Sequence, residues 1–443
     1  MNLLTTDVRK LYFTFLASAF GSTLVTNIYS TVDMICMGQY AGPIGSAAIA
    51  CTSPIWPLML CFGFLAGMGG AVLMSNKRGA SDDVAANEFF TLSILLSSVA
   101  TVIISSVIIF FTEPLLILFG AKGEVLEASL IYSKPIAYIS PTFTLCATVS
   151  CFVRNDGEAA LPTVATVIGG IVNVFGDIFF VFDFGLGLGM LGAGLATSLG
   201  QAVSFFIIVS YFFWKKCNLK FTKITFPLRK LALIFAVGNS AFITEIASVI
   251  TSAVFNNIIT ERFSSNHLAV YGTAYAIVIT VYCFFYAVGS AMQPIASANY
   301  GASNLDRTLK VRNLSLRVAL LLGIVFFAAV QLFPEFIFPL YMDTTPEVLL
   351  IGPSILRAYT AHFFFVGLGI VATYYLQSVL KKKGAFLISF LRALILPVAF
   401  ALILPAITKS DAALWWSLPL AELAATVIAM IFLFKPLIPE DSD

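Results

Sequence analysis

The 443 residues are 59% hydrophobic and only 11% charged, with a mean hydropathy of +0.95. Soluble globular chains carry about a quarter charged residues, so this balance excludes a water-soluble protein of such length. The net charge of +2 says little about partners, and seven cysteines without CxxC spacing, mostly in apolar stretches, read as small hydrophobes and not as a disulfide or metal framework.

Apolar character starts at Leu11 with no cleavable leader before it, so the first stretch reads as a membrane span. Crossing a hydrocarbon core takes roughly 20 residues of helix. Leu92–Phe111 and Val318–Phe333 are apolar all round, whereas barrel strands alternate with polar lumen positions. Helices are therefore expected at 11–35, 44–74, 89–111, 128–153, 161–183 and 190–214. A basic linker over 215–229 follows, then helices at 230–260, 268–297, 313–333, 348–379, 384–407 and 412–434. The expected division is a first lobe over 1–214, the linker, and a second lobe over 230–443. An even number of spans puts both termini on one side. Of the Lys and Arg residues, 19 fall on that side, four on the other and two, Arg357 and Arg392, within spans. The positive-inside rule then makes both termini cytoplasmic.

The end of helix two, Gly67 to Gly79-Ala-Ser81, and the end of helix eight, Gly289 to Gly301-Ala-Ser303, are glycine-bearing apolar runs 222 positions apart. That offset superposes the two ladders of six helices and brings Gln201 within one position of Glu422. Six spans per half mean that both halves enter the membrane in the same sense, which is a parallel repeat and a transporter architecture.

Ionisable residues at mid-span cost about 2.5–3.5 kcal/mol on insertion scales and call for a reason. Asp33, Asp177, Glu245, Glu422 and Arg392 are such residues. Asp33 and Asp177 both belong in the outer half of the first lobe, and Asn173 shares a helix face with Asp177. Neighbouring carboxylates in a low dielectric cannot both stay charged without a cation, so this group reads as a proton or Na⁺ switch. Arg392 and Glu422, on neighbouring helices, fit a structural ion pair or substrate contacts equally well. Glu245 fits either a cation-recognising carboxylate on a central cavity or an acid near an interface. Gly187 to Gly192 matches GxGxxG, yet no strand precedes it, so it is no nucleotide site. Gly63 and Gly67 form a GxxxG, expected to serve close helix packing. There is no Walker A motif, and His267 and His362 are too few for a metal site.

In order along nearly the whole chain, several segments resemble the MATE (multidrug and toxin extrusion) family, most closely its MepA-like branch. They are Val32-Asp33, Gly67 to Ala80, Arg154-Asn-Asp-Gly157, Asn173 with Asp177, Gly192 to Gln201, Gln293-Pro-Ile, Asn299-Tyr-Gly-Ala302 and Pro419-Leu-Ala-Glu422. The resemblance implies a V-shaped pair of six-helix lobes exporting amphipathic, often cationic compounds in exchange for H⁺ or Na⁺. It implies a cation site of Asp33, Asn173, Asp177 and Thr197, completed by the carbonyl of Ala193, and equates Glu245 with the family's helix-seven acid. Here the chain departs from the family: its Gly-x-Pro appears as Gly238-Asn-Ser240, and helix ten holds no acid to pair with Glu245.

The expectation is thus an all-α integral membrane antiporter of the cell membrane, acting as a monomer among lipids on a small organic cation. It is no enzyme, binds no nucleic acid, and needs no cofactor or metal beyond a coupling H⁺ or Na⁺. The alternative is a flippase for a lipid-linked precursor, which would need several cations in its cavity to hold a pyrophosphate.

Overall fold

A computed structural model describes residues 2–263, 265–336 and 346–435. Among the described residues, twelve helices long and apolar enough to cross a membrane occupy the twelve expected positions: α1 Val8–Gly42, α2 Ala47–Gly79, α3 Asp83–Leu118, α4 Gly123–Asn155, α5 Ala160–Val181, α6 Gly189–Phe213, α7 Pro227–Ile259, α8 Val270–Gly301, α9 Leu305–Leu332, α10 Pro346–Ser378, α11 Lys382–Thr408 and α12 Asp411–Leu433. No strand occurs among the described residues. The outer helices α3 and α9 expose apolar side chains such as Val102, Phe110, Leu321 and Val325. Faces of this kind need lipid to cover them.

Helix boundaries differ from the expected ones where capping, which hydropathy does not sense, sets the end. Asp82 accepts from the Ala85 amide at 3.0 Å and starts α3 well before the apolar run; Asn304 accepts from the Arg307 amide at 3.4 Å and does the same for α9. These two caps are 222 positions apart. So are Ser81 and Ser303, which close the preceding helices at φ of 62° and 58°. The repeat read from two tripeptides therefore extends to backbone conformation.

Within the first half α5 packs on α6, α4 on both α2 and α6, α3 on α2 and α4, and α1 on α5; in the second, α10 packs on α8, α9 and α12, and α11 on α7 and α12. Gly63 and Gly67 face α4, where added methyls would lie 2.7 Å from the Thr144 oxygen and 2.9 Å from the Thr148 Cα. The halves meet through α1, α2, α7 and α8. A methyl on Gly238 would lie 2.0 Å from the Leu65 oxygen, one on Gly79 2.0 Å from the Ala298 oxygen, and one on Gly301 1.9 Å from the Asn76 oxygen. The last two contacts exchange under the 222-residue offset, so α2 and α8 cross on a local two-fold axis. These meetings lie towards the ends of α2 and α8, the end of the molecule that carries the termini.

The connection between halves is not a free linker. The amide of Asn218 donates to Asp156 at 3.0 Å, that of Lys220 to Asn87 at 3.1 Å, that of Thr222 to Thr91 at 3.1 Å and that of Thr225 to Glu88 at 3.3 Å. Three of these anchors lie on the first turns of α3, so the segment is stitched along the first half. Asp156 also receives Arg78 and, at 2.6 Å, the Tyr211 hydroxyl. α7 then begins at Pro227, three residues inside the expected linker, and Lys230 in its first turn pairs with Glu88.

Candidate functional site

Glycines bring α5 and α6 into backbone contact: a methyl on Gly200 would lie 2.6 Å from the Gly169 oxygen, and one on Gly176 2.8 Å from the Ala196 Cβ. At that separation Asn173 Nδ2 of α5 donates to Thr197 Oγ1 of α6 at 3.3 Å. Asp177 lies one turn beyond Asn173 and is fully buried, and Ala193 lies one turn before Thr197, also buried. From α1, Asp33 is 7% exposed and accepts a 2.7 Å hydrogen bond from the Tyr132 hydroxyl of α4. Asp177 is within electrostatic range of Asp33.

Four buried oxygens in this group have no hydrogen-bond partner: Asp33 Oδ1, both oxygens of Asp177, and Asn173 Oδ1. Buried polar atoms are almost always satisfied, and orphaned ones need an explanation. Two carboxylates with a carboxamide oxygen and two hydroxyls make an all-oxygen donor set, which fits a proton or a hard monovalent cation. No cluster of three or more His, Cys, Asp or Glu that would hold a heavier metal occurs among the described residues. The structure thus brings the five predicted residues Asp33, Asn173, Asp177, Ala193 and Thr197 together on α1, α5 and α6. Tyr132 was missed, because a tyrosine in an apolar helix carries no signal until its neighbour is known.

A second polar group occupies the other half. Arg392 sits where α11 widens into a π-turn over Leu391–Ile395, a distortion often found at functional sites. Its Nη1 donates to Glu422 Oε1 at 3.3 Å, both side chains being about 95% buried or more. Tyr282 donates to the same oxygen at 3.1 Å, and Arg392 Nη2 reaches the Tyr286 hydroxyl at 3.5 Å. Arg392 and Glu422 therefore form an ion pair, yet Arg392 also lines a cavity of about 160 Å³ together with Glu245, Ser240, Thr244, Tyr286 and Gln377. Arg357, the other arginine expected within a span, lies in α10 on its exposed face and donates to the Gln331 carbonyl at 3.1 Å.

A cavity of about 220 Å³ adjoins the first, sharing Phe64, Met68, Tyr286 and Tyr374 with it. Thr23, Arg154, Asn155, Ser290 and Gln293 also line it, so it lies between the halves. At its floor Arg154 Nη1 donates to Ser290 at 3.0 Å, and Ser297 reaches Asn155 at 3.5 Å. Arg154 was counted among the cytoplasmic loop charges; the structure places it on the cavity wall, because α4 runs on to Asn155. The motif Arg154-Asn-Asp-Gly157 thus divides its work, its first two residues facing the other half and Asp156 holding the connecting segment.

Comparison with known proteins gives one consistent picture. The MatE family model matches residues 18–179 and again 241–403, once in each half. The chain is similar to the multidrug export protein MepA of Staphylococcus haemolyticus, 26% identical over 424 residues that cover 93% of this chain and 90% of that one. It is also similar to the probable multidrug resistance protein YoeA of Bacillus subtilis, 23% identical over 353 residues, covering 77% and 75%. Among solved structures it resembles one described as an outward-facing conformation of a multidrug resistance MATE family transporter of the MOP superfamily. The TM-score is 0.88 at 20% identity, with 97% of this chain and 96% of that one covered. A second, with the same TM-score at 21% identity and the same coverage, is a Pyrococcus furiosus MOP superfamily transporter. Its reversed pocket polarity is said to suggest a different function.

Proposed function

The chain belongs to the MatE family of multi-pass membrane transporters, and from that membership we propose that it exports small amphipathic organic compounds by antiport against H⁺ or Na⁺. The observation that carries the coupling is the set of four unpartnered buried oxygens on Asp33, Asn173 and Asp177. They lie apart from the inter-half cavity, so that ion and cargo would occupy different places and compete through conformation. Uptake of a cation there satisfies groups that otherwise cost several kcal/mol. Differential affinity of this kind is what shifts a population between two states.

On this reading residues 1–214 and 230–443 are the bodies that rock, residues 215–229 travel with the first, and the protein works as a monomer in the cell membrane. Contacts between halves gather at the end bearing the termini. With 19 Lys and Arg on that side against four opposite, this end is assigned to the cytoplasm, and the state described is outward-facing. A lipid-linked pyrophosphate is a poor fit as cargo: the cavity offers one guanidinium without a carboxylate partner, Arg154, and Glu245 would repel the phosphates.

The test is counter-transport in proteoliposomes under imposed proton and sodium gradients, with ethidium as reporter. Asp33→Asn and Asp177→Asn should each abolish gradient-driven efflux at undiminished expression. Efflux that persists in both variants would remove this site from the coupling.

A further inference from the structure

The stretch of chain ahead of each half's first helix docks on the other half. Residues 215–225, ahead of α7, are bonded along α3 of the first half through Asn87, Glu88 and Thr91. Residues 2–7, ahead of α1, are bonded to the second half instead. Arg307 Nη2, in the first turn of α9, donates to the Thr6 carbonyl at 2.5 Å and to the Leu3 carbonyl at 3.3 Å. Asn299 Nδ2, near the end of α8, donates to the Leu3 carbonyl at 3.0 Å. Arg307 Nε also donates to Asn299 Oδ1 at 2.9 Å, which aims both side chains at the same stretch of backbone.

The segment is folded to receive them. The Leu4 and Thr5 amides donate to Asn2 Oδ1 at 2.9 and 3.2 Å, and the Thr6 amide donates to the Asn2 carbonyl at 3.2 Å. This turn brings the carbonyls of Leu3 and Thr6 within reach of one guanidinium nitrogen. Side-chain packing continues the dock: Leu3 packs against the apolar cluster in which Val8, Leu11, Tyr12 and Phe15 of α1 join Met292 and Ile295 of α8 and Val311 of α9.

The two docked stretches differ in what ties them to the halves. Residues 215–225 are continuous in the chain with both. Residues 2–7 run into α1 and touch the second half only through non-covalent contact. Hydrogen bonds at a membrane surface suit a contact that opens and recloses, because water replaces each partner on release.

Resting on the two-body exporter reading above, we propose that residues 2–7 are a strap held by Arg307 and Asn299, and that it must leave α8 and α9 before the halves part at the end bearing the termini. Arg307 is then a positioning residue of the transport cycle. It lies outside both the cation group and the two cavities, and it acts by biasing which conformation is populated. Its planar fork engages Asn299 and two carbonyls at once, which an ammonium group does not match. The three bonds to the strap, exchanged for water on release, favour the closed arrangement by about ten- to a hundredfold.

Spin labels on the full-length protein test this without cargo. A nitroxide at the exposed Thr5 reads whether the strap is docked, and double electron–electron resonance between Lys220 and Lys310, one on each half, reads their separation. In Arg307→Ala the Thr5 label should become mobile, and the population with the halves parted should rise about tenfold or more. Deleting residues 2–6, which leaves Asp7 to cap α1, should shift the Lys220–Lys310 distances equally. Arg307→Ala added to that deletion should shift them no further, since both changes remove the same contact. A mobile Thr5 label with unchanged distances would reduce the strap to a local anchor and overturn the proposal, as would a further shift from Arg307→Ala in the shortened protein. If the distances respond as expected but no dye moves in proteoliposomes under any gradient, the antiport reading fails and the strap stands.

Discussion

Replacing Gly79 by alanine tests how the two halves hold each other at the end that carries the termini. The added methyl would lie 2.0 Å from the Ala298 carbonyl oxygen, where carbon and oxygen need about 3.3 Å, so the α2–α8 crossing must open by about 1.3 Å. The obstacle is helix backbone and cannot swing aside as a side chain would. Alanine is the better helix former by about 1 kcal/mol, but that gain accrues to α2 in every conformation and cancels between them. What remains is an overpacking penalty of about 1–3 kcal/mol on the conformation in which this crossing is closed. Its population relative to its competitors should fall by about 5- to 150-fold. Gly301→Ala, with its methyl 1.9 Å from the Asn76 oxygen, should act alike, since the two contacts are related by the repeat. Spin labels at the exposed positions Lys220 and Lys310 report the separation of the halves at this end. Double electron–electron resonance should show longer distances in both variants, together with reduced efflux. Unchanged distance distributions in both would refute the claim that this crossing is a closed contact of the transport cycle.

Three further outcomes follow from the described geometry. Tyr132→Phe removes the one hydrogen bond to the Asp33 carboxylate. Bonds to charged groups contribute about 1.5–3 kcal/mol, and this one favours the cation-free carboxylate, so the dependence of efflux on the driving cation should move to about 10- to 100-fold lower concentration without loss of folded protein. Glu422→Ala strands Arg392, 5% exposed, at a cost of about 3–5 kcal/mol, whereas the double variant Arg392→Leu/Glu422→Leu should recover much of the monodisperse yield on size-exclusion chromatography. Cys217 lies outside the spans, and burial, with Asp156 adding to it, pushes its thiol above the usual range. Its maleimide labelling should therefore be slow at neutral pH, quicken as pH rises, and quicken at fixed pH in Asp156→Ala, which frees Asn218. Labelling by an impermeant reagent from the outside of intact cells would contradict the cytoplasmic assignment.

Much of the fold was legible because hydropathy reports the solvent directly: a helix facing lipid is apolar over its length whatever it packs against. The positions of all twelve helices could be read in this way, and helix boundaries could not, since Asp82 and Asn304 act through single hydrogen bonds. The repeat was legible because Gly79 and Gly301 meet backbone from the other half and tolerate no side chain. Asp33 and Asp177 stood out because a carboxylate in an apolar span is conspicuous. Tyr132 did not, since it announces nothing about which helix it faces. Arg154 was misjudged for a different reason: as the first residue of the polar run Arg154 to Glu158, it looks like a loop charge unless α4 is known to run on to Asn155. The pairing of Arg392 with Glu422 could be suspected from neighbouring helices, but that Glu245 and Arg154 share one space depends on how two halves meet, which no local pattern encodes.

The stitched connection between the halves has a mechanical consequence. Its last anchored residue is Thr225, held to Glu88, and the next helix starts at Pro227, so a single residue, Phe226, in the left-handed conformation at φ 50°, joins the two. Such a tether stores no slack. Displacing one half past the other at this corner by more than about one residue's reach, 3.8 Å, would tear Thr225 from α3. The corner therefore behaves as a fixed point, about which one half can turn but from which it cannot travel.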